Sequence, residues 1–308
     1  MTDSRNFSAL NLETIPFDEQ ACTFDNRVFL AGDFDDTTPQ RDLSHAPTIR
    51  RFLTAPYPFK IQFSMMHLCL GGRMRVRLNL NEYELHPNSL MIVTPGSIGQ
   101  CLEISSDCRI VLVALSNNSI ISEDNSEGAL IVRKFLARRS LLELTDAQTS
   151  EILAIFRAMR DKLRQPDFRF KHDILKGYLQ VLYGEICQLM APLVEAQEAS
   201  QGSRKRQIFD RFIEELRQHY ASERSIQFYA DRLCLTPKYL SQVIHSVSGR
   251  YAGDWIRDCV ILEAKALLKS GQYTVQQVSD LLNFANQSFF GVYFKKAVGC
   301  SPTAYKES

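Results

Sequence analysis

The strongest constraint on the fold of this chain is a short unit that occurs twice between Ser225 and Tyr305. In each copy a small residue, an acidic residue and two apolar residues precede a break, and an apolar segment ending in glycine follows it. The first copy consists of Ala230, Asp231, Leu233, Leu235, Leu240, Ile244 and Gly249. The second consists of Ser279, Asp280, Leu282, Phe284, Phe290, Phe294 and Gly299. Because the offset is 49 residues before the break and 50 after it, the second turn contains one extra residue.

This pattern is what two packed helices joined by a tight turn require. The small residue lets the helices approach closely, and the apolar positions form their shared core. A single match would be weak, because many helical hairpins look similar. Two copies at a nearly constant offset predict a pair of helix-turn-helix units, which can read a DNA duplex.

The charge of the chain is distributed unevenly. Over all 308 residues the formal net charge is only +1. Residues 204–308 contain 15 Lys and Arg against 10 Asp and Glu, a balance of +5, whereas the rest of the chain contains 21 against 25, a balance of −4. A basic C-terminal part indicates a nucleic-acid partner, although ordinary variation of surface charge would give a similar difference.

The cysteines and the apolar runs indicate the compartment. Eight cysteines are dispersed without a C-x-x-C motif, and residues 1–24 form a polar leader without the apolar core of a signal peptide. No run approaches the roughly 18 apolar residues of a membrane span. We therefore predict a cytoplasmic protein with reduced thiols and no membrane partner. A redox role for Cys69, Cys101 or Cys108 is the alternative to apolar packing.

Residues 25–120 have the pattern of short β-strands. The segment Met74–Leu80 alternates strictly between apolar and polar residues, which predicts a half-buried strand. Similar segments, separated by Gly, Pro and polar turns, are Arg27–Ala31, Ile61–Phe63, Met65–Leu70, Tyr83–Leu85, Ser89–Thr94, Gly99–Ile104 and Arg109–Leu115. We predict a small barrel or jelly roll within an α+β protein. The segment from Glu82 to Gly96 resembles the strand-turn-strand unit of cupin-type sensor domains.

Cupin enzymes hold a metal on clustered histidines, and this sequence lacks that pattern. His67 lies in a continuous apolar run and His86 in a turn, without an H-x-H motif or an acid at ligand spacing. We therefore predict no metal, no other cofactor and no catalytic residue. His67 is interpreted as a core histidine with satisfied hydrogen bonds, and His86 as a turn residue.

A long helical hairpin is predicted over residues 145–194. Thr145 begins a capping box, apolar residues recur at helical spacing, and a break at Pro166 precedes a second helix with a wide apolar stripe. This stripe packs on the barrel or on the same hairpin of a second subunit, and we favour a symmetric homodimer. Residues 25–194 thus form a sensor and dimerisation domain, and the polar residues 195–206 form a linker.

Residues 207–308 form the predicted DNA-binding domain, with one recognition helix in each unit. In the first unit, Thr236 caps a helix that begins at Pro237 and turns an apolar face inward. Gln242 can contact adenine with both amide atoms, and Lys238 can reach guanine or phosphate. A solvated face without a DNA partner is the alternative for any single residue. The opposite, outer face of this helix carries Lys238, Ser241, Gln242 and His245.

The second recognition helix begins near Asn286 and runs to Val298. Asn286 and Thr236, at the starts of the two recognition helices, are also predicted to contact DNA. Four aromatic residues are expected to supply its inward bulk: Phe289, Phe290, Tyr293 and Phe294. The polar residues expected on its exposed positions are Gln287, Ser288, Lys295 and Lys296. A connecting helix that contains Trp255 as a packing anchor joins the two units. Its length of about 16 residues spans roughly 25 Å, which suits two recognition helices about one DNA turn apart.

The segment from Thr274 to Tyr305 resembles the signature of the AraC/XylS transcription regulators, through TVQQVSDLLNFANQSFF, FKK and GCSPTAY. The resemblance covers about the last 100 residues. It implies binding to asymmetric promoter sites with both recognition helices in successive major grooves, and contact with RNA polymerase. Carried over by position, the base-reading residues are Lys238, Ser241, Gln242, Gln287, Ser288 and Val292.

Two residues depart from the pattern of that family. Members often carry an arginine at the position of Val292, and Val292 cannot donate a hydrogen bond to guanine. Gly291 beside it lowers the helix propensity. We therefore expect the second unit to depend more on phosphate contacts and less on base readout.

These observations together predict a one-component transcription regulator rather than an enzyme, with double-stranded promoter DNA and RNA polymerase as partners. The N-terminal barrel is expected to bind a small-molecule effector, such as a sugar, an aromatic compound or another metabolite. Two alternatives stay open. Either the regulator responds to a protein partner or to its own abundance, or the chain is a cupin enzyme joined to a DNA-binding module.

Overall fold

A computed structural model describes residues 9–10, 22–24, 28–32, 57–116, 126–165, 169–199 and 204–308. Contacts divide the chain into two compact units, one containing residues 61–195 and the other residues 57–60 and 196–308. Every described strand lies before residue 144, and the described part of residues 196–308 is helical, so the predicted α+β class is confirmed. Most of the predicted leader lies outside the described residues. The exact domain boundaries stay a prediction.

The described strands form two sheets. Strands β1 to β11 span Ala9–Leu10, Cys22–Phe24, Val28–Gly32, Phe59–Ile61, Ser64–Gly71, Met74–Leu78, Asn81–Leu85, Ser89–Val93, Ile98–Ile104, Arg109–Leu115 and Leu141–Glu143. The first sheet has the order β1-β4-β9-β6-β7, and the second has the order β11-β8-β5-β10-β3-β2. β5 pairs with β8 and β10, and β6 pairs with β7 and β9, all antiparallel. This agrees with the predicted β-rich region, whereas its cupin-like identity stays a prediction.

Most strands differ from their predicted bounds by one or two residues. The strand predicted at Ile61–Phe63 is found as Phe59–Ile61. The strand that begins at Met74 ends at Leu78, because Asn79 adopts a left-handed conformation with φ 55° and turns the chain into β7. Asparagine tolerates this conformation better than most residues.

Three described helices belong to the N-terminal unit: α1 Glu127–Arg138, α2 Asp146–Arg164 and α3 Lys171–Ala199. The predicted capping box begins α2, since the Thr145 hydroxyl accepts from the Gln148 amide at 3.3 Å and the Gln148 side chain accepts from the Thr145 amide at 2.8 Å. The predicted break at Pro166 lies outside the described residues. Residues 195–199 and 204–206 of the predicted linker are helical.

One face of α3 packs on the second sheet of its own chain. Its buried residues share a core with Leu68 of β5, Leu90 of β8 and Val111 of β10. They are Leu175, Leu179, Leu182, Ile186, Met190 and Val194. Val181 points away from this core and is 53% exposed. The hairpin therefore packs on the sheet, and its pairing with a second subunit stays a prediction.

Residues 204–308 form seven helices. Helices α4 to α10 span Arg204–His219, Ile226–Arg232, Pro237–Ser248, Ala252–Lys269, Val275–Leu281, Gln287–Val298 and Pro302–Glu307. The two predicted helix-turn-helix units are α5 with α6 and α8 with α9. Their helices begin and end within a few residues of the predicted positions, because capping residues mark most of the ends.

The connecting helix α7 is shared by both units. Ala252 and Ile256 in its first half are buried in the core of the first unit. Val260, Ala264 and Leu268 in its second half are buried in the core of the second unit. Its 18 residues have a length of about 27 Å, so α7 holds the two units apart by a fixed distance.

Trp255 and Tyr220 strengthen the joints around α7. The Trp255 indole donates to the Ser248 hydroxyl at 3.1 Å, and its ring meets Phe209 edge to face with centroids 5.6 Å apart, as expected for a packing anchor. Tyr220 packs against both cores, and its hydroxyl donates to Glu263 at 2.8 Å. Burial and the adjacent Glu263 carboxylate raise the pKa of Tyr220 above its ordinary value, so Tyr220 remains a donor.

Candidate nucleic-acid interface

The two helix-turn-helix turns have the same backbone conformation. Cys234 in the first and Asn283 in the second, 49 residues later, are both left-handed, with φ 56° and 53°. The amide three residues after the end of the first helix closes each turn, since Leu235 donates to the Ala230 carbonyl at 2.9 Å and the equivalent bond of the second turn is 3.0 Å long. The extra residue of the second turn is Ala285, which precedes the cap of α9. The duplication seen in the sequence is thus a duplication of geometry.

Two predicted DNA-binding residues have a structural role in the helix starts. The Thr236 hydroxyl accepts from the Tyr239 amide at 3.3 Å, and the Asn286 side-chain oxygen accepts from the Phe289 amide at 3.0 Å. These bonds satisfy amides that have no partner within the helix. Both N-cap residues are exposed and lie at the positive ends of the recognition helices, where a phosphate is favoured.

The first recognition helix, α6, has one buried face and one exposed face, as predicted. Leu240, Val243 and Ile244 are buried in the core of the unit. Lys238, Gln242 and His245 are exposed, as predicted, whereas Ser241 is half-buried and less accessible than expected. The His245 ring stacks on Tyr251, with centroids 4.4 Å apart, so its orientation is restricted.

The second recognition helix, α9, differs from the expectation at one aromatic residue. Phe290 and Phe294 are buried, as predicted, but Phe289 points outward and is 65% exposed. It lies about 100° around the helix from Phe290, beyond the edge of the buried face. Val292 beside it is 70% exposed. The polar residues of α9 predicted to contact DNA are all exposed: Gln287, Ser288, Lys295 and Lys296.

An open groove with a mainly apolar lining runs along the outer face of α9. Its volume is about 470 Å³, and its lining consists of Asn286, Ser288, Phe289, Val292, Tyr293 and Lys296. The sequence did not predict this surface, because Phe289 was expected to face the core. A stricter count of the helical period would have found it, since Phe289 and Val292 are three residues apart and share a face.

Arg224 fixes the turn of the second unit to the loop before the first. Its guanidinium donates to the Leu282 carbonyl at 2.5 Å and to the Asn283 carbonyl, and it lies 4.3 Å from the centre of the Phe284 ring. The Asn283 amide group donates in return to the Ser222 carbonyl at 2.9 Å. The two helix-turn-helix units are therefore held together by these polar contacts as well as by α7.

The N-terminal unit contains a half-buried histidine, His67, whose ring nitrogens are shielded from solvent. Both ring nitrogens of His67 are inaccessible and have no hydrogen-bond partner among the described residues, so the expected satisfied histidine is not found. Burial lowers the pKa of His67 from 6.5 to about 4. His67 lies on β5 between Met66 and Leu68, whose side chains pack toward the helices, so it faces the opposite side of the sheet. His86 lies in an exposed turn after β7, as predicted.

The described part of the chain has neither a cluster of metal ligands nor a membrane-spanning helix. Within it, no group of three or more His, Cys, Asp and Glu residues is placed to hold a metal ion. None of its helices combines the length and apolar character needed to cross a bilayer. Cys69 and Cys108 are buried and Cys101 is half-buried, which agrees with a packing role.

Known proteins match part of the chain. The family model described as "Helix-turn-helix domain" matches residues 229–308. The arabinose operon regulatory protein of Salmonella typhimurium is 27% identical over 158 residues, which cover 47% of this chain and 55% of that protein. The protein of the same description from Escherichia coli is 31% identical over 77 residues, covering 25% of this chain and 26% of that protein. The chain thus matches about half and about a quarter of the length of these relatives.

A solved structure resembles a larger part of the chain. ToxT from Vibrio cholerae with a bound unsaturated fatty acid is 14% identical, with 81% of this chain and 92% of that chain covered and a TM-score of 0.36. This score is too low to support a functional comparison. The family model and the curated relatives confirm the resemblance that the segment from Thr274 to Tyr305 predicted.

Proposed function

We propose that this chain, whose C-terminal part is a helix-turn-helix domain of the AraC/XylS type, is a transcription regulator that binds promoter DNA in a sequence-specific manner. The observation that carries the proposal is the pair of matched units on α7, each presenting an exposed face on its second helix. One DNA turn is roughly 34 Å long, and α7 spans about 27 Å, so the two recognition helices suit successive major grooves.

The exposed side chains of α6 have the chemistry of base readout. Gln242 can donate to and accept from adenine, and Lys238 can reach guanine or phosphate. Lys295 and Lys296 near the end of α9 are suited to phosphate contacts, which add affinity without sequence preference. The chain acts in the cytoplasm with the chromosome, and RNA polymerase is its expected partner at promoters.

The N-terminal unit is proposed to bind a small-molecule effector and to form a homodimer through the hairpin of α2 and α3. His67 supports the proposal of an effector, because its two ring nitrogens are buried and have no hydrogen-bond partner in the part of the chain that the structure describes, and a bound polar group would satisfy them. Regulation by a protein partner or by the abundance of the chain is the second candidate. An effector alters DNA binding only if it favours one arrangement of the chain over another.

Two substitutions test the DNA reader. Gln242→Ala should lower affinity at preferred sites by roughly 1–3 kcal/mol and relax the preference for one base pair, since it removes a base contact. Lys295→Ala should weaken binding to all sequences and reduce the salt slope by about 1. Fluorescence anisotropy over a salt series measures both effects. Equal, salt-independent binding by the two variants and the wild type would contradict the proposed function.

Native mass spectrometry of the chain purified from its natural host tests the effector. A bound organic molecule that is lost in a His67→Leu variant supports effector control. A chain that carries no small molecule, and whose DNA binding changes only with its own concentration, supports the second candidate.

A further inference from the structure

We infer that α9 reads thymine in the major groove by apolar contact of Phe289 and Val292 with the C5-methyl groups. This readout presupposes the DNA binding proposed above and adds the chemistry by which the second unit chooses its bases. It departs from the expectation, drawn from the sequence, that the second unit depends more on phosphate contacts and less on base readout.

The geometry of α9 places the side chains of Phe289 and Val292 on the face that would meet the base edges. Buried Phe290 and Phe294 fix the inner face of the helix, so the outer face has a defined orientation. Phe289 and Val292 are 65% and 70% exposed on that outer face and border the same groove of about 470 Å³.

The first unit supplies an internal comparison, because residues after the break recur 50 positions later. Phe289 corresponds to Tyr239, which is also exposed, at 38%. Val292 corresponds to Gln242, the polar residue of the first recognition helix. The two units therefore place an aromatic residue at one equivalent position and differ at the other, where one carries an amide and the other an isopropyl group. An amide suits adenine, and an isopropyl group suits the thymine methyl.

The surroundings of the apolar pair favour DNA over a protein partner. Gln287 and Ser288 lie on one side of the pair, and Lys295 and Lys296 lie on the other, all exposed. Neutral polar donors followed by two cations match base edges flanked by phosphates. The thymine methyl is the apolar group that a base edge offers in the major groove, so it is the complement of Phe289 and Val292.

The experiment begins with selection of a preferred duplex from a random library by the full chain. Each thymine in the half bound by the second unit is then replaced by deoxyuridine, which removes the methyl group and keeps every hydrogen-bonding group. The protein is unchanged in this test, so folding cannot confuse the result. Binding should weaken about fourfold for each contacted methyl group. Replacement of thymines in the half bound by the first unit is the control.

Protein variants, measured with the thymine and the deoxyuridine duplexes, form a double-mutant cycle. Val292→Ala and Phe289→Ala should weaken binding to the thymine duplex, and the deoxyuridine effect at the contacted position should vanish in the matching variant. Val292→Gln should shift the preference at that position from thymine toward adenine. Leu281→Ala is the matched control, because Leu281 is 51% exposed on α8, outside the groove of α9, and should leave affinity unchanged.

Three outcomes would overturn the inference. The first is full affinity for every deoxyuridine duplex. The second is normal DNA binding by Phe289→Ala and Val292→Ala with reduced transcription, which would assign the groove to a protein partner and leave the proposed function intact. The third is failure of the wild-type chain to select any sequence, which would refute the proposed function as well.

Discussion

At His67, two buried ring nitrogens have no hydrogen-bond partner among the residues that the structure describes, and this lowers the stability of the N-terminal unit. A buried polar group that makes no hydrogen bond loses its hydration without compensation. Apolar residues of similar size would be more stable at this position. This unsatisfied hydrogen-bonding capacity is the observation on which the proposed effector binding rests.

We expect His67→Leu to raise the free energy of unfolding by about 1–3 kcal/mol at neutral pH. In the wild type, the folded pKa of about 4 lies below the unfolded value of 6.5, so the unfolded state binds the proton first. Stability should therefore be full above pH 6.5 and fall as the pH drops toward 4, by about 1.4 kcal/mol per unit. Urea denaturation at several pH values measures this slope.

The His67→Leu variant should lack the decrease in stability between pH 6.5 and pH 4. His86→Leu is the control, because it removes a histidine from an exposed turn rather than from the sheet. An identical slope in His67→Leu and the wild type would show that His67 does not carry the effect.

At the scale of elements, the two helix-turn-helix units resemble each other in turn geometry and capping but differ in how they are held. The first unit is packed between α4 and α7. The second is also tied by Arg224 to the carbonyls of Leu282 and Asn283, at the end of α8. This contact joins residues 58 and 59 positions apart along the chain, so it sets the angle of α9 relative to the first unit.

Arg224→Lys should destabilise the C-terminal unit by about 1–2 kcal/mol, since a lysine cannot donate to both carbonyls from one planar group. Affinity for a DNA site that spans both units should fall further than affinity for the half-site of the first unit. Thermal unfolding and anisotropy on the two duplexes test this. Arg211→Lys, an exposed substitution on α4, is the control. Equal losses on both duplexes would show that Arg224 does not orient the second unit.

At the scale of the whole molecule, the basic C-terminal part and the acidic remainder divide the chain by charge. The two faces of helix α3 in the hairpin also differ in their surroundings. Its buried stripe is used by the sheet of the same chain, and Val181 is left on the outside of α3. Any second subunit must therefore use the outer face of α3 rather than the stripe.

We expect Val181→Glu to abolish the predicted homodimer, because the interface would bury an unpaired carboxylate. Such a charge costs several kcal/mol, so the dissociation constant should rise about 100-fold or more. Sedimentation velocity over a concentration series measures the change. Gln180→Glu, an exposed neighbour on another side of α3, should leave the dimer intact. A wild-type chain that sediments as a monomer would refute dimerisation through the hairpin.

The sequence by itself determined the duplicated units, their caps and most strand positions. These features depend on residues close in the chain, such as the left-handed Cys234 and Asn283 and the caps Thr236 and Asn286. The tertiary structure decided which residues at the edge of a face become exposed, as Phe289 shows. It also decided the isolation of His67 and the reach of Arg224 across 58 residues. Local patterns specify a helix and its general face, but packing against distant elements decides where that face ends and which polar groups find partners.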